Sequence, residues 1–291
     1  MAHPTPSPAG GPRADAAYGD GPSGDAAYGD GPSGRPLPEP PVQEPGLRHA
    51  LASEWTKIRS VPSTVWTLAV AVGAVVGIGG AAVAWSKGGT RPGDNILGLG
   101  LGGFLVGQIA VIVLGVLTVT SEYGSGMIRT TLVACPRRTR VLTAKAAVLA
   151  GLVLVAGTAS VGLFAALAVL VLGPGAGPQP AGRLLDAVAG GGLYLTVVAL
   201  MSLAVGTLLR HGAGAIAAMI GFVLLPVVLG LFAGERLGPY LLRHSAVATS
   251  ASLFGSGFDP DTGCWRLLAT LAGLTAVLLA GAYAAAVRRD V

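Results

Sequence analysis

Glu122 and five basic side chains, Arg129, Arg137, Arg138, Arg140 and Lys145, share one stretch, SEYGSGMIRTTLVACPRRTRVLTAK, between two long apolar runs. Five of the chain's 19 lysines and arginines against a single acid suit polar docking of a partner rather than bond-breaking. Lys and Arg beside apolar spans resist translocation, which places this stretch on the cytoplasmic side. Groups that catalyse are scattered elsewhere. His3, His49, His211 and His244 lack the paired spacing of a helical zinc site. Lys57, Lys87 and Lys145 follow no Gly-rich phosphate loop, so no ATP site is expected in this chain. Cys135 and Cys264 fall on opposite sides of the expected membrane and should not pair. The basic residues flank apolar runs without interleaved aromatics, which argues against nucleic acid.

The elements that must carry this stretch are apolar. Hydrophobic residues make up 52% of the 291 and charged residues 11%, a membrane composition. Six neutral runs, 60–86, 95–121, 146–182, 187–209, 211–234 and 267–287, each exceed the roughly 20 helical residues that cross a bilayer. They lack the alternation of barrel strands, so the expected fold is all-α and polytopic with six transmembrane helices. Gly173-Pro174-Gly175 breaks the third run and limits it to one span. Trp66 and Trp85 bracket the first span and Trp265 opens the sixth, where indoles favour the headgroup level. With both termini inside, the inner segments carry eleven basic residues and the outer ones six, which favours cytoplasmic termini. The expected domains are a tail at 1–46, an interfacial helix at 47–62 and a membrane domain at 63–291.

The tail holds eleven of the 20 prolines and a tandem DAAYGDGPSG repeat, a composition expected to stay disordered and dispensable. From Leu47 to Ser60, Leu47, Leu51, Trp55 and Ile58 share one helical face, while Arg48, Lys57 and Arg59 fall on its sides or back. That helix should lie in the inner interface with Trp55 toward lipid. Glu54 falls amid the apolar face. It reads either as an interfacial acid paired with Lys57 or Arg48, or as a contact to the basic second connection.

No acid stands inside the apolar runs, where ion-coupled carriers and intramembrane hydrolases place ionisable groups. Gln108 is the most polar side chain deep in a span and suits an interhelical hydrogen bond better than a substrate contact. Gly73, Gly77 and Ala81 stand four apart, as do Gly98 with Gly102 and Gly103 with Gly107, spacings that let helices approach closely in the bundle or a dimer. Pro226 should kink or break the fifth span. The following connection, 234–265, is apolar enough for a re-entrant or interfacial helix.

Two stretches carry a resemblance. SEWTKIRSVPSTVWTL, from Ser53 to Leu68, and EYGSGMIRTTLVACPRRTRVLTAK, from Glu122 to Lys145, resemble the opening segment and the second connection of actinobacterial permeases in the type-2 ABC transporter family. The resemblance implies a dimerised exporter half made of membrane helices, with separate ATPase subunits docked beneath it and ATP used by those partners. It places an ATPase-coupling segment at 121–140. Glu122 and Arg129 would be its polar anchors, Met127, Ile128 and Leu132 its apolar knobs, Gly124 and Gly126 its flexible start, and Pro136 its close. Arg137, Arg138 and Arg140 either join that contact or hold lipid phosphates and fix topology. An apolar, uncharged lining suits a hydrophobic cargo. The competing reading is a six-helix anchoring or assembly subunit, or a passive channel, without an ATPase partner. An intramembrane enzyme fits least, since the spans offer no cluster of His, Cys or acids.

Overall fold

Apolar runs without charge must satisfy their backbone internally in lipid, and helices are the result. The computed structural model describes residues 47–87, 89, 91, 94–124, 138–173, 177, 179–257 and 263–288. The expected tail, 1–46, lies outside them. Helix α1 (Leu47–Ser60) precedes α2 (Pro62–Ser86), which starts on a helix-compatible proline. Helix α3 (Leu101–Gly124) follows a 3-10 turn at Leu97–Gly100. Then come α4 (Arg138–Leu172), α5 (Ala181–Leu209), α6 (Gly212–Phe232), the shorter α7 (Gly234–Arg243) and α8 (Ala246–Leu253), and α9 (Cys264–Arg288). Six of these, α2 to α6 and α9, are long and apolar enough to cross a membrane.

Helix α5 is the centre of the bundle. It packs against α3, α4, α6 and α9, and 67% of its apolar window is buried, against 22% in α2 and α6. Those outer helices turn large apolar side chains outward, among them Trp66, Val70, Leu225 and Phe232. Trp66 and Trp85, near the two ends of α2, are 71% and 94% exposed, as headgroup-level indoles require. The interior is built around Phe104, whose ring centroid lies 4.8 Å from that of Phe254 and 5.6 Å from that of Tyr194.

Small residues set two of the close approaches. A Cβ on Gly103 would stand 2.6 Å from the Ala74 carbonyl oxygen, where α2 makes a π turn at Ala74–Ile78, and one on Gly115 would stand 2.6 Å from the Ala199 carbonyl oxygen of α5. Any side chain there would force α3 away from both neighbours. The Gly73, Gly77 and Ala81 face of α2 is exposed, so that spacing does not pack this bundle.

Two helix starts change. The third helix begins at Arg138 rather than Ala146, because charge marks where lipid ends and not where a helix ends. The fourth begins at Ala181, so Arg183 and Asp186 are helical, and Asp186 accepts a hydrogen bond from Trp265 Nε1 at 2.8 Å. Of the kink or break expected at Pro226, the break does not occur, since α6 runs on to Phe232. The described part of the connection beyond it turns back into the bundle. The Tyr194 hydroxyl, near the middle of α5, bonds the Ala246 carbonyl at 3.0 Å, so α8 starts at mid-depth. Its far end is fixed where Asn95 Nδ2 donates to the Phe254 carbonyl at 2.9 Å.

Candidate functional site

Six crossings bring the start of α2, the end of α3, the start of α4, the turn between α5 and α6, and the end of α9 to one face of the bundle, beside α1. The turn is two residues long. Arg210 closes α5 in the left-handed region at φ 54°, and His211 caps α6 by accepting a hydrogen bond from the Gly214 amide on Nδ1 at 3.0 Å.

Helix α4 dominates this face. Its 35 residues span about 52 Å at about 1.5 Å each, well beyond a hydrocarbon core of about 30 Å. Arg138, Arg140 and Lys145 put the excess at its start, so α4 stands out of the bilayer there as a stalk. Leu142 and Ala144 are buried on that stalk, and the hydroxyls of Thr143 and Tyr283 lie 3.0 Å apart, joining it to the end of α9.

Helix α1 packs along the stalk. Glu54 is 5% exposed and its Oε2 accepts from Lys145 Nζ at 2.9 Å, with Lys145 itself 3% exposed. Its other oxygen, Oε1, lies 3.9 Å from the ammonium of Lys57, a looser and more exposed partner. Both readings of Glu54 are therefore realised, and the closer bond goes to the second connection. The misfit of Glu54 on an apolar wheel has a physical reason: that strip of α1 faces protein, and Lys145 neutralises the acid. Leu51 is half-buried beside it, Trp55 is 47% exposed and opens outward, and Arg48 and Arg59 are exposed.

The expected coupling segment, 121–140, runs from the last turns of α3 to the first of α4. Glu122 lies in the last turn of α3 and Arg138 is the first residue of α4, though the side chains of both lie outside the described residues. Gly124 ends α3 as a helical residue. Gly126, Met127, Ile128, Arg129, Leu132, Pro136 and Arg137 lie outside the described residues, and so does Cys135. Cys264 is a free thiol.

Several polar contacts were not paired by sequence. Gln108 makes the interhelical bond expected of it, accepting on Oε1 from the Tyr194 hydroxyl at 3.1 Å, but its partner stands 86 residues on in α5 without a signal of its own. Thr143 with Tyr283 and Asp186 with Trp265 are others. The Glu54–Lys145 pair had a signal, the acid on an apolar face opposite a basic connection.

Among known proteins, residues 50–228 match the family model described as ABC-2 family transporter protein. A comparison with curated proteins finds no match. The matched region opens inside α1, includes both members of the Glu54–Lys145 pair and the whole connection between α3 and α4, and ends in α6. Covering more than half of the 291 residues, it shows that this multi-pass membrane protein belongs to the ABC-2 transporter family and is a membrane transport component.

Proposed function

We propose that this chain is the permease subunit of an ABC-type exporter in a bacterial plasma membrane. It would pair with a second permease subunit and move a hydrophobic substrate outward with ATP hydrolysed by separate ATPase subunits. The observation that carries this reading is the stalk: α4 begins at Arg138, ahead of its apolar stretch, and an ion pair locks it to α1. A partner gripping 121–140 would pull on α4 and α1 together. Nucleotide closure of two ATPase subunits would draw the two connections toward each other and shift the bundles from an inward to an outward arrangement. Such coupling requires only that the ATPase bind the two arrangements with different affinity.

Purified through an affinity tag from gently solubilised membranes, the chain should bring an ABC ATPase with it. Intact chain recovered without any ATP-hydrolysing partner would support the anchoring subunit instead. Orientation gives a second expected outcome. In intact cells an impermeant maleimide should label Ser256→Cys, between α8 and α9, and leave Arg138→Cys unlabelled, both against a background lacking Cys135 and Cys264. The reverse pattern would place the stalk outside the cell, away from ATP.

A further inference from the structure

Between Gly212 and Gly257 the sequence carries one acid, Glu235, and two arginines, Arg236 and Arg243, and all three lie in α7. Helix α7 starts where α6 ends and folds back on it: a Cβ on Gly238 would stand 2.6 Å from the Gly230 carbonyl oxygen. Gly238 is buried there, and the opposite face of α7 looks away from the bundle. Arg236 and Arg243 stand four residues before and three after Tyr240, one turn to either side on that face, and all three side chains are exposed. Glu235 lies about 100° round the helix from Arg236, off this row. The row has a fixed centre. The Tyr240 and His244 rings lie 4.5 Å apart between centroids, and His244 Nδ1 is 2.9 Å from the Tyr240 carbonyl oxygen. Leu231 and Phe232, at the end of α6, and Leu237 on α7 are exposed at the same corner.

Neither water nor lipid tails alone suit this corner. Exposed Leu231, Phe232 and Leu237 are unfavourable in water, and a guanidinium is costly among lipid tails. The boundary between the two media suits both, and the anions found there are lipid phosphates. We propose that the outward face of α7 is a binding site for the headgroup phosphate of an anionic phospholipid, in the leaflet away from α1, held by Arg236 and Arg243 with the Tyr240 hydroxyl donating between them. Arginine suits phosphate because its planar fork gives two hydrogen bonds at once. Arg243 has the deeper backbone of the two, since Ala246, three residues on, takes the Tyr194 bond at mid-depth; its long stem carries the charge back toward the boundary. The acyl chains would run beside Leu237 and Phe232, contacts for which a free phosphate ion has no use. The site needs only that the six spans lie in a bilayer, and rests neither on an ATPase nor on transport.

The test uses the full chain in nanodiscs of phosphatidylglycerol and phosphatidylcholine in equal parts, doped with either lipid carrying a diazirine in one acyl chain, and mass spectrometry to place the photoadducts. Adducts on 231–244 should form about threefold to tenfold more with the phosphatidylglycerol probe than with the phosphatidylcholine probe, as two exposed charges at a bilayer surface imply. Arg236→Gln with Arg243→Gln should bring that ratio to about one, while the ratio on 48–60, whose basic residues are untouched, stays as it was. Arg236→Lys with Arg243→Lys, which keeps both charges, should keep the preference. Equal labelling of 231–244 by the two probes in the unaltered chain, an unchanged ratio in the glutamine variant, or loss of the preference in the lysine variant would overturn the site. Displacement of the adducts by millimolar inorganic phosphate would overturn the lipid assignment in favour of a soluble anion. Failure here leaves the permease reading standing, and failure to recruit an ATPase leaves the lipid site standing.

Discussion

Glu54→Ala should destabilise the stalk face by about 3–5 kcal/mol, because it leaves the Lys145 ammonium buried without its carboxylate. Lys145→Ala should destabilise the same face, since it removes the closer of the two cations beside the buried Glu54 carboxylate. Replacing both, as Glu54→Leu with Lys145→Met, should recover most of the loss: two apolar side chains in place of a buried pair cost little. The recovery in the double variant is what distinguishes the account. Unfolding free energies in mixed micelles of the unaltered chain, Glu54→Leu, Lys145→Met and the two combined, read as a double-mutant cycle, should show strong coupling. Simple addition of the two single losses would mean that the pair does not hold α1 to α4.

That pair also shows what the sequence could reveal. Six apolar runs were legible because lipid forbids charge, and each corresponds to a spanning helix. Helix ends were less legible, since a helix leaving the bilayer can carry charge, as α4 does at Arg138, Arg140 and Lys145. Glycine spacing named Gly103 with Gly107, which α3 uses, and Gly73 with Gly77, which stay exposed; spacing marks a face but not the neighbour it meets. The same limit hides Tyr194 as the partner of Gln108. Glu54 was legible as a misfit, and the long-range contact it makes explains the misfit.

The proposed function turns on one claim, that 121–140 couples this bundle to an ATPase. If Glu122 and Arg129 make charge-assisted contacts in a partly dry cleft, each contributes about 1.5 to 3 kcal/mol, so Glu122→Ala or Arg129→Ala should weaken docking roughly tenfold or more. An exposed ion pair would contribute under about 1 kcal/mol. Arg183→Ala and Asp186→Asn serve as controls near the opposite end of the bundle, the second keeping an acceptor for Trp265 Nε1. The decisive measurement is ATPase turnover stimulated by each purified variant, alongside co-purification yield of the ATPase. Loss of both in the two connection variants, with insertion intact and both controls unchanged, is the predicted result; full stimulation by Glu122→Ala and by Arg129→Ala would contradict it.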